Sequence, residues 1–319
     1  MLGLIAALAA GVGVDFLFGD PPNKFHPVAW LGRFIAYCAP HLKGGAERAK
    51  GTIFAVSLVL AIALAVHFLV LAGMFLAGII ALVIASAIIL KITVALRGME
   101  RHAKVIMSCL EAGDLAKARQ SLSMIVRRST DDLDEQHILS ATIECISEST
   151  VDGITGPIFY YSLFGPAGAF AYRAINTLDS MVGYKDDYFK DIGWMSARLD
   201  TAANYFPARI TAFLMVTSAK ILGADWKKSL RMLQRDHAKT FSPNAGYPMA
   251  TMAGALHVRL EKIGHYALGD PQEPTSIEKC QVAISIMKLS TLLFCLGVSA
   301  PIISTLYLTG WWRLFLGIP

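Results

Sequence analysis

Long stretches without a charged side chain alternate along this chain with polar stretches. Residues 51–90 contain no Asp, Glu, Lys or Arg, and residues 289–312 are also uncharged. A membrane-crossing helix needs about 20 mainly apolar residues, so the first stretch can hold two such helices and the second can hold one. We expect a helical hairpin from Thr52 to about Leu96 with its turn at Ala72-Gly73, and a last span over residues 289–312.

Two further apolar stretches are weaker candidates for spans. Residues 153–172 contain four glycines and two prolines. A broken backbone persists at membrane depth only where protein or a water-filled cavity satisfies its polar groups, so a broken or re-entrant helix is expected here. If this stretch and residues 205–222 both crossed fully, residues 176–204 and 223–284 would lie on opposite sides. We therefore expect at least one of the two stretches to be re-entrant.

Polar segments at about 97–150 and 223–284 predict helices in water at the membrane surface. In the first segment, Asp114 is the expected N-cap of one helix, and Asp131 or Asp132 is the expected N-cap of the next. The resulting fold class is all-α.

Composition supports a membrane location. Hydrophobic residues make up 55% of the 319 residues and charged residues only 17%. We expect a polytopic integral membrane protein with about four to five membrane helices, forming a single membrane-embedded domain over residues 1–319. Basic residues flank both ends of the predicted hairpin, which places those ends in the cytoplasm. We therefore expect a multi-pass protein of the cell membrane whose active face is cytoplasmic.

Charge and cysteine content exclude several other classes. The net charge of +5 is modest. No basic patch interleaved with aromatic residues is present, so we expect no nucleic-acid partner. The five cysteines are scattered without a CxxC spacing, which indicates neither a disulfide framework nor a zinc site.

Three carboxylates precede the broken stretch at helical spacing. Glu144, Glu148 and Asp152 lie at i, i+4 and i+8, so they share one face if the helix continues that far. Like charges at this spacing repel by a few tenths of a kcal/mol per pair. A cation is therefore expected against this face, and it would be either an Arg or Lys side chain or a Mg²⁺ ion that holds a phosphate.

Polar residues also follow the broken stretch and cluster at two turns. Polar groups that bracket such a segment are functional by default. The turn at Ser242–Gly246 opens a small-residue helix, whose free N–H groups would suit a phosphate. The turn with Asp20 and His26 is equally well explained by capping. The cluster after the broken stretch comprises Arg173, Asn176, Thr177, Asp179, Tyr184 and Lys185.

Four blocks of the sequence together resemble the CobD/CbiB family of cobalamin biosynthesis, the adenosylcobinamide-phosphate synthases. The resemblance covers nearly the whole chain, and the second and fourth blocks are the most specific. The blocks are GDPPNKFHPVAWLGRFI, ESTVDGITGPIFYYSLFGPAGAFAYRAINTLDSMVGYK, GWMSARLDTAANYFPARITAF and SPNAGYPMATMAGALHVRLEKIGHY.

This resemblance implies an ATP-dependent, Mg²⁺-dependent ligase. The enzyme would join the propionate carboxylate of cobyric acid to the amine of aminopropanol or its O-phosphate, beside other corrin-pathway membrane enzymes. The residues implied are Glu144, Glu148 and Asp152 for metal; Asp152, Asn176, Asp179 and Lys185 for catalysis; and Arg173, Arg209, Ser242, Asn244, Asp20 and His26 for substrate or phosphate.

The sequence departs from the family pattern at Ser129, Ser149, Tyr247 and His257, where Asp, Asn, Trp and Gly are usual. Two other interpretations remain open. Broken apolar segments flanked by charges are also typical of a transporter or permease. A non-catalytic membrane scaffold for corrinoid enzymes is the third interpretation, and it predicts that the carboxylates can be lost without consequence.

Overall fold

Helices make up nearly all of the regular structure. The computed structural model describes residues 1–19 and 24–317. The helices are α1 (Leu2–Phe18), α2 (Pro27–Cys38), α3 (Glu47–Thr93), α4 (Leu96–Glu111), α5 (Leu115–Ser123), α6 (Glu135–Ser149), α7 (Gly156–Val182), α8 (Trp194–Ala203), α9 (Tyr205–Ile221), α10 (Trp226–Asp236), α11 (Gly246–Leu256), α12 (Ile277–Phe294), α13 (Ala300–Leu308) and α14 (Trp311–Leu316).

Short elements complete the chain. A 3₁₀ turn follows α2 at Ala39–Leu42, and π-helical turns occupy Thr150–Thr155 and Cys295–Ser299. Strands β1 (Leu260–Lys262) and β2 (Tyr266–Leu268) pair antiparallel, with Leu260 opposite Leu268. The predicted helical class is confirmed, and within the described residues this small hairpin is the exception to it.

The chain divides into two compact units. The first consists of Met1–Ala95, Gly156–Asn204 and Cys295–Pro319, and the second of Leu96–Thr155 and Tyr205–Phe294. In the first unit, a core forms where α2, α3, α7 and the segment before α8 meet. Its buried members include Ile35, Ala55 and Leu178. The expected single membrane-embedded domain stays a prediction.

Helix α7 is broken at Gly165, as the glycine- and proline-rich sequence predicts. Gly165 has φ 61° and ψ −153°, a conformation that is essentially restricted to glycine. The halves on either side fold back on each other, because the rings of Tyr160 and Tyr172 stack with centroids 5.3 Å apart. Any side chain at Gly168 would overlap the backbone of Tyr160. Residues 156–182 therefore form a tight helical hairpin.

Helix α3 has a similar break, but not where we expected it. Ala77 and Gly78 leave helical geometry, with Gly78 at φ 70° and ψ −160°, whereas Ala72-Gly73 continues the helix. Glycine alone does not end a helix, and a Cβ added at Gly73 or at Gly78 would meet no atom within 4 Å. Of these two glycines, Gly78 adopts a positive φ and Gly73 does not. No local sequence signal distinguishes the two positions.

Two helical stretches are long and apolar enough to cross a membrane. They lie within Glu47–Glu111 and Ile277–Leu308, and α1 is a shorter apolar helix. Only 11% of the most apolar window of the first stretch is buried, whereas the core helix of a soluble protein would be mostly buried. Its exposed side chains include Leu64, Phe68 and Phe75. The count of four to five membrane helices stays a prediction.

In the second unit, N-caps set the start of the helices. Asp114 accepts a hydrogen bond from the backbone N–H of Lys117 at 2.9 Å, as predicted for α5. The cap of α6 is Asp134, which accepts from the N–H of His137 at 2.8 Å. The prediction of Asp131 or Asp132 was wrong, because three aspartates lie close together and only Asp134 directly precedes the first helical turn.

Candidate functional site: a charged cavity and a carboxylate network

A polar cavity of about 310 Å³ lies within the second unit. It is formed by α6, the start of α11, the hairpin of β1 and β2, and the loop before α6. Two of the three carboxylates predicted from helical spacing line it, together with Ser242. The other polar or charged lining residues are Arg127, Arg128, Thr240, Lys262 and Tyr266.

Glu144 is held by three donors on the cavity wall. Its carboxylate accepts hydrogen bonds from Tyr266 Oη at 2.8 Å, from Arg128 Nη2 at 3.3 Å and from Ser140 Oγ at 3.3 Å. Burial raises the pKa of the Glu144 carboxyl, while the charge of Arg128 and these hydrogen bonds oppose that rise. The cation expected against this face is therefore, at Glu144, the guanidinium of Arg128.

The cavity carries more positive than negative groups. Arg127, Arg128 and Lys262 line it with two carboxylates. Besides its contact with Glu144, Arg128 donates to the backbone carbonyl of Glu261 at 3.5 Å. Its Nε is buried and has no hydrogen-bond partner in the described part of the chain. A guanidinium with a spare donor is suited to a planar or tetrahedral anion.

Glu148 and Asp152 differ in position. Glu148 lies one turn after Glu144 and lines the cavity, but Asp152 is not among its lining residues. Asp152 belongs to the π-helical turn Thr150–Thr155, whose wider i→i+5 spacing changes the helical register. No group of three or more His, Cys, Asp or Glu side chains in residues 1–19 and 24–317 is arranged to hold a metal ion.

In the turn before α11, a serine side chain already accepts hydrogen bonds from the backbone N–H groups that could bind a phosphate. Ser242 Oγ accepts hydrogen bonds from the backbone N–H groups of Asn244 and Ala245, both at 3.3 Å. Phosphate at this turn would have to compete with the Ser242 hydroxyl for those donors. The predicted helix after the turn is present as α11, from Gly246 to Leu256.

Arg209 and Asn244 meet in the second unit. Arg209 Nη1 donates to Asn244 Oδ1 at 3.2 Å and to the backbone carbonyl of Tyr205 at 2.7 Å. Its guanidinium carbon lies 3.6 Å from the ring centroid of Tyr205 and 4.3 Å from that of Tyr247. Two aromatic faces therefore fix the orientation of this arginine.

The first unit contains a separate network centred on Asp200 of α8. Asp200 Oδ2 accepts from Asn204 Nδ2 at 3.1 Å, and Asp200 Oδ1 accepts from Asn176 Nδ2 at 3.5 Å. Asn204 Oδ1 accepts from Tyr172 Oη at 2.6 Å, and Asn176 Oδ1 accepts from Arg173 Nη1 at 3.3 Å. Two predicted site residues, Arg173 and Asn176, are thus hydrogen-bonded to each other, and Asn176 connects them to the Asp200 carboxylate.

The surroundings of Asp200 change its acidity. Burial raises the pKa of the Asp200 carboxyl to about 6, against the opposing hydrogen bonds from Asn204 and Asn176. These two donors are neutral amides, which stabilise the ionised form less than a cation would. A carboxyl with this pKa can exchange a proton near neutral pH.

The remaining predicted site residues that the structure describes belong neither to the cavity around Glu144 nor to the network around Asp200. Asp179 Oδ1 covers Gly183, where any side chain would collide with it. Lys185 is exposed in the loop after α7. His26 caps α2, because its Nδ1 accepts from the N–H of Val28 at 3.2 Å. The prediction for Asp20 falls outside the described residues.

The sequence did not reveal several residues of these two groups. Arg128, Tyr266 and Lys262 reach Glu144 or its cavity from distant parts of the chain, and no local spacing announces such contacts. Asp200 does carry a signal, since it lies four residues before Asn204 on one helix face. That shared face alone indicates no role for the carboxylate.

Comparison with known proteins relates nearly the whole chain to one family. The family model described as CobD/Cbib protein matches residues 8–293. The chain belongs to the CobD/CbiB family. A probable cobalamin biosynthesis protein CobD of Methanothermobacter thermautotrophicus is 40% identical over 300 residues, covering 92% of this chain and 97% of that protein. The family resemblance inferred from the four blocks is confirmed.

Two further CobD/CbiB relatives are similar to the chain at a comparable level. The cobalamin biosynthesis protein CobD of Dehalococcoides mccartyi is 40% identical over 266 residues, covering 82% of this chain and 85% of its own. The one from Leptospira interrogans is 37% identical over 296 residues, covering 90% and 94%. No solved structure matches the chain. A role in cobalamin biosynthesis follows from the family.

Departures from the usual CobD/CbiB pattern have defined places in the structure. Ser129 donates to Asp131 Oδ2 at 3.1 Å in an exposed loop, and its neighbour Arg128 has Glu144 as a partner. His257 ends α11 with φ 57°, a left-handed conformation that glycine adopts without strain. Tyr247 supplies an aromatic face to Arg209. Ser149 is the last residue of α6.

Proposed function

We propose that this protein is the membrane-bound, ATP-dependent ligase that forms the amide between the propionate carboxylate of cobyric acid and aminopropanol or its O-phosphate. The product is cobinamide or its phosphate, and it carries an adenosyl group when the cobyric acid supplied already carries one. The observation that carries the proposal is the cavity of the second unit, in which Glu144 and Glu148 face three cations in a chain of the CobD/CbiB family.

The reaction needs a cation-rich site that also holds carboxylates. Amide formation from a carboxylate requires activation, here by phosphoryl transfer from ATP, after which the amine replaces the phosphate and loses a proton. Arg127, Arg128 and Lys262 supply positive charge for phosphate oxygens. The spare buried Nε of Arg128 provides one donor for which the described part of the chain has no acceptor.

The residues present fit Mg²⁺ in one specific way. Mg²⁺ is commonly bound through one or two carboxylates together with substrate phosphates, not by an all-protein cage. Glu148 and Glu144 both line the cavity and would hold the ion, with Glu144 also tied to Arg128. The bound ion would neutralise charge on the transferring phosphate. Asp152 lies outside that cavity lining, so the proposed ion is assigned to Glu144 and Glu148.

The proposed location is the cell membrane. Exposed apolar side chains on α3, such as Leu60, Phe68 and Phe75, would face lipid hydrocarbon in this arrangement. Their exposure to water would otherwise leave a large apolar surface without a partner. The corrinoid and amine substrates are water-soluble, so the polar cavity would open to the cytoplasm.

The test is direct ligation by the purified protein. Detergent-solubilised wild type receives cobyric acid, ATP, Mg²⁺ and aminopropanol or its phosphate, and mass spectrometry follows the amide. Glu148→Gln should lower the rate at least about a hundredfold, since a charge that orients phosphate and metal is lost. Glu111→Gln removes an exposed carboxylate of α4 and should leave the rate unchanged.

Two results would contradict the proposal. One is the absence of product from folded wild-type protein with every substrate supplied, which would favour the permease or scaffold interpretations. The other is full activity of Glu148→Gln, which would remove the cavity from the mechanism while leaving the family assignment intact.

A further inference from the structure

A second, larger groove of about 550 Å³ runs along α4 and the start of α5, within the second unit. Arg97, Arg101, Lys104 and Lys117 line it, with the carboxylates of Glu100 and Asp114. Arg101 and Lys117 are exposed, and the side chain of Lys104 is 58% exposed. The proposed ligase reaction uses none of these residues.

Glu100 is in contact with three cationic side chains at the groove. Its buried carboxylate accepts from Lys104 Nζ at 2.7 Å, Lys288 Nζ at 2.7 Å and Arg97 Nη1 at 3.1 Å. The groove lining as a whole contains four cationic side chains and two carboxylates, so positive charge predominates there. The Asp114 carboxylate is engaged as the N-cap of α5.

The contact between Glu100 and Lys288 indicates the depth at which the groove lies relative to the membrane. Lys288 is the last charged residue before the uncharged stretch 289–312, and residues 289–308 belong to a helical stretch apolar enough to cross a membrane. A lysine at that position lies where hydrocarbon gives way to head groups, because its charged end must reach water or a counter-charge. Its 2.7 Å contact with Glu100 brings α4 to the same level.

The groove also has an apolar wall. Val105, Cys109 and Ala112 line it beside the cations, and Val105 is 44% exposed. A soluble phosphate compound would gain little from this wall. A phospholipid would place its phosphate against the cations and its glycerol and upper acyl chains along the apolar side.

We propose that this groove binds the head group of an anionic glycerophospholipid. The inference rests on the membrane location proposed above, but not on the ligase reaction. Each cation near a negatively charged lipid surface contributes about fivefold in affinity. Loss of Arg101 and Lys104 should therefore weaken binding by about thirtyfold.

Native mass spectrometry of the full-length protein in detergent tests the proposal. Palmitoyl-oleoyl phosphatidylglycerol and palmitoyl-oleoyl phosphatidylcholine are titrated separately, so that only the head group differs. The groove variant is Arg101→Gln/Lys104→Gln. The control variant, Lys227→Gln/Arg231→Gln, removes two exposed cations from α10 in the same unit. Circular dichroism verifies that both variants are folded.

Wild type and the control should retain phosphatidylglycerol in preference to phosphatidylcholine, and the groove variant should lose that preference. Equal retention of both lipids by wild type would overturn the proposal, as would equal losses in the two variants. Displacement of phosphatidylglycerol by millimolar inorganic phosphate would indicate a soluble-phosphate site and overturn it too. Ligation by wild type is measured independently, so a failed lipid site leaves the proposed reaction untouched.

Discussion

The two polar regions of this protein surround their central carboxylates in opposite ways. Glu144 in the second unit has a cation, Arg128, and a phenol, Tyr266, as donors. Asp200 in the first unit accepts hydrogen bonds from the neutral amides of Asn176 and Asn204. Burial raises the pKa of both carboxyls. A largely buried carboxylate can therefore be held either beside a cation or among neutral donors alone.

The environments of Glu144 and Asp200 suit different chemistry. A paired carboxylate among several cations keeps a charged pocket together and can share a metal ion with phosphates. A carboxyl whose pKa is about 6 among neutral donors is suited to accepting and releasing a proton. We expect the regions to respond differently when a partner is removed, and three sets of variants test that difference.

The largest effect is expected from Arg128→Met. It leaves Glu144 buried without its cation, which costs about 3–5 kcal/mol when one partner of a buried pair is removed. Thermal unfolding in detergent should show a strongly lowered midpoint.

The double variant Arg128→Met/Glu144→Gln serves as the control for this cost. It removes both charges, so it should recover most of the lost stability even though it lacks the ion pair. An equally low midpoint for the double variant would show that Arg128 contributes through packing and not through its charge.

Sequence reasoning recovered what depends on local spacing. The apolar stretches predicted the two long apolar helical stretches, and the glycines and prolines of residues 153–172 predicted a broken α7. Asp114 was correctly predicted as a cap. Each of these features is decided by residues within a few turns of one another.

What was missed depends on contacts between distant segments. Arg128 and Tyr266 approach Glu144 from 16 and 122 positions away in the sequence. Spacing of i, i+4 and i+8 places three residues on one face only in a regular α-helix, and the π-helical turn at Thr150–Thr155 interrupts that regularity before Asp152. Helical spacing predicts a shared face only while the hydrogen-bond pattern stays the same.

A matched pair of tyrosine substitutions compares the two regions directly. Tyr266→Phe deletes a hydrogen bond to a carboxylate, and Tyr172→Phe deletes one to the neutral amide of Asn204. Bonds to charged groups contribute about 1.5–3 kcal/mol and neutral ones about 0.5–1.5 kcal/mol. Chemical unfolding should therefore rank Tyr266→Phe as the more destabilised variant. The reverse ranking would mean that Glu144 is protonated and that its neighbourhood is effectively neutral.

The smallest effect concerns pH. The pKa of Asp200 is raised to about 6 in the folded protein, so the folded state binds this proton more tightly than the unfolded chain does. The resulting stabilisation is fully present below about pH 4, the ordinary range of an aspartate, and is lost as pH rises through about 6. Because Asp200 is partly accessible to solvent, we expect a difference of about 1 kcal/mol.

Asp200→Asn isolates this contribution, because asparagine has no titrating proton and keeps the shape of the side chain. Between about pH 6 and pH 4, wild type should gain stability relative to Asp200→Asn, as measured by unfolding midpoints at each pH. Parallel pH profiles would show that the amide donors hold Asp200 ionised, as Arg128 does for a paired carboxylate. The contrast between the two regions would then lie in which donors they use and not in the charge they maintain.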